Sequence, residues 1–346
     1  MELSRRGFFH RVMVFRREGF FLDPVERACG PVQEIGIHGL LKWSTVQAIR
    51  RLAARLRAER FDLLHTWDAD AALFGQFAAA LAGVPLITSR RDLGQIYPRY
   101  KLAGLRRADR RADAVVANAQ AIVDHFVREG GDRGKFRVIP NILDVAEFDA
   151  LHRQPFGRSA ELPDGERIVM VARLDPEKDV LTLLRAAARV LAAHPTARFI
   201  VAGDGRERAA LEDLSTALGL THAVVFLGDI THVPALLAAA TIGVLTPSRN
   251  EGLSNTILEY MAASLPVVAT ECGGNRELVD PTHGGCIVSP GDDAALAEAL
   301  LGLLRDPALR AAMGSRNRQR VVTVHQPVAV GDQFARLYES IARPTF

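Results

Sequence analysis

Cysteine is scarce: three in 346 residues, Cys29, Cys272 and Cys286. An odd number, spread far apart, excludes a disulfide framework and a metal knuckle and points to a reducing compartment. Aromatic residues are few as well, at 6% against 48% hydrophobic overall. Ala and Leu must carry the core, which favours α/β layers over an aromatic-rich sandwich. No apolar run is long enough to span a bilayer. The start, "MELSRRGFFHRVMVFRREG", has basic residues but neither a long apolar segment nor a small-residue cleavage site. It does not read as a signal peptide. Charge of one sign is missing too: 43 basic residues meet 40 acidic ones, for a net charge of +3. A local basic excess remains at Arg5, Arg6, Arg11, Arg16 and Arg17, and again from Arg90 to Arg111. It suits a solvated face, or attraction toward anionic lipid heads or a charged substrate. No aromatics interleave with these cations and no zinc-finger spacing occurs, so nucleic acid is not an expected partner.

What is present is alternation. The chain is longer than one core usually serves, so two domains are expected. Apolar runs sit at 11–15, 61–65, 85–89, 113–119 and 136–141, with helical patterns among them. Segment 142–166 holds two prolines and weak periodicity, and reads as an interdomain link. The alternation resumes with runs at 167–174, 197–203, 223–228, 242–248, 266–270 and 284–290, then closes in helical patterns, the last at 328–342. Strand, helix, strand in this order predicts parallel sheets covered on both faces, an α/β fold in two units. Ligands in such folds collect beyond the carboxyl ends of the strands. With two units, the natural site is the cleft between them.

The stretch "PSRNEGLSNTILEYMAASLPVVATECGGNRELV" (247–279) concentrates the candidate chemistry. Ser254 is a plausible N-cap for "NTILEYMAA". The free N–H groups at that helix start can hold a phosphate, and Gly252 permits close backbone approach. Glu259 lies just over one turn inside, at a depth suited to ribose hydroxyls, and Glu251 lies in the loop before it. Acids near a helix start also suit the dipole without any ligand. In "VMVARLDPEKDV", Arg173 leaves a strand end and Lys178 follows. Both suit a diphosphate, or a surface pairing with Asp175, Glu177 and Asp179. "VAGDGRE" is a third strand end, with Gly203 and Gly205. No Walker lysine loop and no G-x-G-x-x-G at a first strand occur, which counts against an ATPase and a nicotinamide oxidoreductase. No His/Cys/Asp cluster has metal spacing.

These residues resemble the retaining glycosyltransferases of the GT-B fold, family 4 (glycosyl transferases group 1). The family's E-x7-E element reads here as Glu251 to Glu259. "ARLDPEKD" looks like its arginine–lysine segment, "VAGDGRE" like its glycine turn, and "IPNILD" like its domain-end motif with Ile142 in place of a common glycine. Ser264 likewise replaces a frequent glycine. The resemblance covers about residues 10 to 325 and is more specific in the second half. It implies two Rossmann-like domains facing a cleft: 1–145 on the acceptor side, 146–325 binding a nucleotide-sugar, and a C-terminal helix within 326–346 packing back on the first domain. It implies that Arg173 and Lys178 stabilise a diphosphate leaving group. Gly252, Leu253, Ser254 and Asn255 would surround the sugar and phosphates, Glu259 bind the ribose, and Glu251 contact the donor sugar. The base would lie near Leu227, Gly228 and Asp229, with Gly203 on the same side. The acceptor would meet His65, Ser89, Arg90 and Asn118, with "HTWD" as the family's histidine segment.

The resemblance further implies a UDP- or GDP-sugar donor, retention of configuration, and no metal or other cofactor. The acceptor would be a glycan, a lipid-linked sugar or a small molecule, as in polysaccharide or lipopolysaccharide biosynthesis. A cytoplasmic protein is expected, with peripheral contact at the inner membrane face suggested by the basic first domain. Family members normally begin with a strand and a glycine-rich loop. This chain opens at what resembles the second strand, "RVMVF", with no "GG" before it, so the first sheet is expected to lack that strand and loop. Two alternatives share the donor site: a catalytically weak nucleotide-sugar-binding or assembly protein, and a nucleotide-sugar epimerase.

Overall fold

The computed structural model describes residues 2–19, 22–37, 42–280 and 284–342. The first half runs α1 (Glu2–Arg5), β1 (Met13–Val14), α2 (Leu22–Cys29), β2 (Gln33–Glu34), α3 (Trp43–Ala58), β3 (Leu64–Thr66), α4 (Ala69–Ala82), β4 (Leu86–Arg90), α5 (Arg99–Arg111), β5 (Ala114–Ala117), α6 (Gln120–Arg128), β6 (Phe136–Val138) and α7 (Val145–His152). Strands β3, β4, β5 and β6 form a parallel sheet in that order. β1 and β2 pair only with each other. The first sheet is therefore interrupted: among the described residues, no strand joins β1–β2 to β3. Segment 142–166, read from sequence as a link, contains α7. Asp144 starts it by accepting from the N–H groups of Ala146 and Glu147, and Val145 and Phe148 bury its inner face.

The second half runs β7 (Glu166–Val171), α8 (Val180–Ala193), β8 (Ala197–Ala202), α9 (Arg208–Ala217), β9 (Val224–Gly228), α10 (Val233–Leu237), β10 (Ile242–Leu245), α11 (Asn255–Ala262), β11 (Val267–Thr270), α12 (Asn275–Leu278), β12 (Gly285–Val288), α13 (Asp293–Arg305), α14 (Pro307–Val324) and α15 (Pro327–Ile341). Its sheet is parallel, in the order β12-β11-β10-β7-β8-β9. Strands such as "IGVL" and "VVAT" are buried at every position, as expected where helices cover both faces. Helix α15 returns to the first half. Its Val330, Phe334 and Leu337 pack with Ile87, Ala114, Val116 and Ile139. The last four residues of the 326–346 segment lie outside the described residues.

The strand order reverses between β7 and β10. A crevice opens at such a point, because successive connections leave in opposite directions. The pairing there is short, Ile168 with Ile242 and Val169 with Gly243. Where it stops, the phenol of Tyr260 takes over. Its oxygen accepts from the Val171 N–H (2.7 Å) and donates to the Val244 carbonyl (3.1 Å). Gly243 makes the room, since a Cβ there would lie 2.5 Å from the Tyr260 ring. Past the end of α11, Ser264 holds φ +58°, the left-handed conformation in which glycine is favoured. That is the physical meaning of the glycine it replaces.

Tyr260→Phe would leave one buried donor and one buried acceptor without a partner. Each such group costs about 1–3 kcal/mol. Urea denaturation should show the variant about 2–3 kcal/mol less stable. Unchanged stability would mean that the phenol does not bridge the two strands.

Candidate active site

The reversal point places two loops side by side. The loop after β7 makes a single turn, Pro176–Lys178, and Asp179 enters the left-handed region at φ +48° before capping α8. The fully buried Thr246, at the end of β10, donates to the carbonyls of Lys178 and Asp179 (3.0 Å each). The Ser248 N–H adds a bond to the Glu177 carbonyl (2.9 Å). This stitching brings Lys178 Nζ to 2.6 Å from Glu251 Oε2, with both side chains largely shielded.

Arg173 sits at the crevice mouth and pairs with Asp175 (2.6 Å) and Glu177 (3.5 Å). Arg206, on the turn after β8, approaches the same two acids (3.7 and 3.8 Å). Both arginine side chains are about 70% exposed, whereas the acids are shielded. Two shielded acids thus hold two exposed guanidinium groups at the loop that carries Lys178. Arg206 was not among the sequence candidates, although "GDGRE" places it directly after Gly205.

The glycine turn has a packing reason. A Cβ on Gly203 would lie 2.0 Å from the Ala172 carbonyl oxygen, and one on Gly205 2.6 Å from Leu174. Both glycines therefore let this turn seat against the segment carrying Arg173. Gly203 N–H donates to the Gly228 carbonyl (2.8 Å), so these two lie together across the ends of β8 and β9. Gly228, at the end of β9, is three strands from β10.

Helix α11 starts as the sequence indicates: the Ser254 hydroxyl accepts from the Ile257 N–H (3.3 Å). The carboxyl of Glu259, one turn in, has no hydrogen-bond or ion-pair partner among the described residues, and burial pushes it up to about 7. A shielded carboxyl without a partner is costly, and it is what hydroxyl groups of a ligand would satisfy.

The first half supplies the facing wall. His65 is half-buried, with Nδ1 bonded to the Tyr338 hydroxyl (2.7 Å), Nε2 to Ser89 Oγ (2.8 Å), and its ring stacked on Trp67 (4.4 Å). Burial, and secondarily Arg91, lowers its pKa to about 3, so the ring is neutral at neutral pH. Arg90 is turned inward and committed to Asp109 and the Leu105 and Ser89 carbonyls. It still lines the neighbouring cavity together with Ser89, while Arg91 reaches across to Asn141. Trp67, Asp68, Arg91, Asp92 and Tyr97 line the same cavity.

Several contacts close the halves on each other. Asn141 Nδ2 donates to the Leu253 carbonyl (2.8 Å) and to Asn255 Oδ1 (2.7 Å), while its Oδ1 accepts from Arg91 (2.7 Å) and Asn118 (3.1 Å). Gln95 and Asn250 exchange reciprocal bonds of 3.1 and 2.9 Å. A Cβ on Gly252 would lie 1.9 Å from the Arg91 carbonyl oxygen, so this glycine is required by domain contact as well as by any ligand.

Two family models match, Glycosyltransferase Family 4 over residues 1–147 and Glycosyl transferases group 1 over residues 165–306. The chain belongs to this glycosyltransferase family. It is 30% identical over 255 residues to a GDP-mannose-dependent monoacylated alpha-(1-6)-phosphatidylinositol monomannoside mannosyltransferase of Corynebacterium glutamicum, covering 69% of this chain and 65% of that protein. It is 34% identical over 182 residues to the alpha-D-kanosaminyltransferase of Streptomyces kanamyceticus, covering 52% of this chain and 47% of that one. The matches thus span about half to two thirds of these relatives. Among solved structures, Anabaena HepE in complex with UDP superposes with a TM-score of 0.85 at 23% identity, covering 98% of this chain and 94% of that one. The fold is GT-B.

Within that frame, the structure sets Lys178 against Glu251, and the chain runs from there through Gly252, Leu253 and the Ser254 cap into α11, with Asn255 at its start and Glu259 one turn in. Arg173 stands at the crevice mouth and His65 beyond Arg91 on the opposite wall. Asn141 and Arg91 escaped sequence reasoning.

Glu259 should make stability depend on pH. Its folded value is raised, so the protonated form favours folding. That contribution is complete below the unfolded value of 4.5 and is lost as pH rises through about 7. Glu259→Gln should therefore stabilise the protein at pH 8 by about 3 kcal/mol more than at pH 4.5, read by urea denaturation. An equal effect at both pH values would show that Glu259 is not held in its uncharged form by the fold.

Proposed function

We propose that the protein transfers a sugar from a nucleotide-sugar donor to an acceptor, with retention of configuration. One observation carries this reading: the Lys178–Glu251 pair lies at the strand-order reversal, flanked by Arg173 and Arg206, with unpartnered Glu259 one turn into α11. Breaking the bond between sugar and phosphate leaves negative charge on the departing diphosphate. Three cations and the free N–H groups at the start of α11 are already placed to receive it, so little reorganisation is needed as charge develops. Glu259 takes the ribose hydroxyls and Glu251 the donor sugar. The base lies near Leu227, Gly228 and Asp229, beside the Gly203 turn.

UDP and GDP both suit this site, and the relatives support either. Anabaena HepE was solved with UDP, and the corynebacterial enzyme is named for GDP-mannose. Residues 1–145 form the acceptor-side domain, 146–325 the donor domain, and 326–346 the returning segment. His65, neutral and satisfied at both nitrogens, orients the wall of the acceptor cavity and is too weak a base at neutral pH to remove a proton. The cavity beside Trp67 and Tyr97 suits a sugar-bearing acceptor, glycan or lipid-linked. Helix α5 carries Arg99, Lys101, Arg106, Arg107, Arg110 and Arg111 against the single acid Asp109. Lys101 is paired with Asp70 and Arg106 with Glu129, and the exposed Arg99, Arg107, Arg110 and Arg111 suit peripheral contact with anionic lipid. No helix among the described residues is long and apolar enough to cross a membrane.

A screen of UDP- and GDP-sugars with pooled acceptors tests this directly. Transfer should be seen with at least one donor, and Lys178→Ala should lower kcat/KM by roughly 100-fold, the scale for losing one group aimed at developing charge. Tight diphosphate binding without turnover, or interconversion of the free sugar nucleotide alone, would overturn the reading.

A further inference from the structure

Helix α6 begins where β5 reaches the cleft, and it begins without a local cap. Its first four N–H groups need acceptors. The residue at the cap position, Ala119, has the extended backbone a cap requires (φ −144°, ψ 149°) but no side-chain oxygen. The acceptors come from the other half of the chain. Glu277 Oε2 accepts from the Gln120 N–H and Oε1 from the Ala121 N–H, both at 2.7 Å.

The reason lies in the packing. Ala119 is fully buried, and a Cβ on Gly274 would lie 2.7 Å from the Ala119 Cβ. A larger side chain at either position would push the two halves apart. Ala119 is thus kept small by the domain contact, and capping falls to a longer side chain that reaches in from one turn away. The carboxylate also meets the positive end of the α6 dipole.

Glu277 is held firmly from its own side. Arg320 of α14 donates to the carbonyls of Glu277 and Leu278, and Asn275 Nδ2 donates to the Thr270 carbonyl (3.0 Å). The preceding turn touches the donor loop. Gly274 N–H donates to the Gly252 carbonyl (2.8 Å), and Gly273 (φ +54°) lies so close that a Cβ would sit 2.0 Å from the Glu251 carbonyl oxygen. The donor loop, the glycine pair, Glu277, the start of α6 and Asn118 therefore form one continuous contact path across the cleft.

We propose that Glu277 is a positioning residue. By capping α6 from the opposite domain, it sets the first-domain wall at Asn118 against the donor loop when the cleft is closed. Opening the cleft strips the first turn of α6 of both acceptors, so closure and order of that wall are coupled. The consequence for turnover rests on the transferase reading; the capping itself does not.

The test compares full-length wild type, Glu277→Gln and Glu277→Ala. Amide hydrogen exchange over residues 120–123 should be at least tenfold faster in the Ala variant. The Gln variant should be intermediate, because its one amide oxygen replaces one of two acceptors. UDP affinity should stay within about threefold, since no proposed donor contact is altered, while kcat falls at least tenfold with little change in donor KM. Unchanged exchange in the Ala variant would overturn the cap. Faster exchange with unchanged kcat would overturn the positioning role, as would a loss of UDP affinity matching the loss of kcat, which would make Glu277 a donor ligand. A wild type without turnover on any donor would count against the transferase reading, and the exchange comparison would still decide the cap.

Discussion

The carboxamide of Asn141 is the joint on which the cleft depends. Its orientation is forced by chemistry. A guanidinium has no acceptor, so the atom facing Arg91 must be the oxygen; a carbonyl has no donor, so the atom facing Leu253 must be the nitrogen. That choice makes Asn118 present its nitrogen and Asn255 its oxygen. All four hydrogen-bonding positions of this buried amide are filled. Its backbone carbonyl accepts from His325 Nδ1 (2.9 Å), while the Leu143 N–H donates to the His325 carbonyl (2.9 Å). The segment that leaves the first sheet, the loop that opens α11, and the turn between α14 and α15 thus meet at one residue.

Around that joint the charges are paired in advance. Lys178 rests on Glu251, and Arg173 and Arg206 share Asp175 and Glu177. The neighbouring acids offset the repulsion between the shielded Lys178 and the two more exposed arginines. Two loop residues at the same site, Asp179 and Asn250, hold left-handed backbone conformations, which is a small strain sustained by the stitching around them. Glu259 is the complementary case, a shielded carboxyl with no partner among the described residues. Fold stability is given up at the positions where a ligand would restore it.

Much of this was legible in the sequence. The strands β4, β5, β8, β10 and β11 follow the apolar runs because parallel strands buried on both faces leave continuous hydrophobic signatures. The start of α11 was legible because Ser254 precedes a helical pattern, and the E-x7-E spacing placed Glu251 before the helix and Glu259 inside it. The misses share a cause. Helix α7 is short and weakly periodic, and its cap, Asp144, lies in a stretch whose prolines suggested a link. Arg90 and Arg91 are neighbours of one type, and only the end of β4 decides which one is turned inward. Asn141 and Glu277 act on partners more than a hundred residues away, and local pattern carries no record of such a pairing. The glycines at 252, 273 and 274 were visible as glycines, but their close contacts exist only once the two halves are together.

The central claim is that the donor loop is held in place from the first domain through Asn141. Asn141→Asp tests it with almost no change of shape. The oxygen that serves Arg91 and Asn118 is kept, while the nitrogen that serves Leu253 and Asn255 becomes a second acceptor. Calorimetric titration with UDP should show affinity reduced by roughly tenfold or more, about 1.4 kcal/mol, although Asn141 is not itself assigned a donor contact. Affinity within twofold of wild type, in a variant that remains folded, would contradict the account.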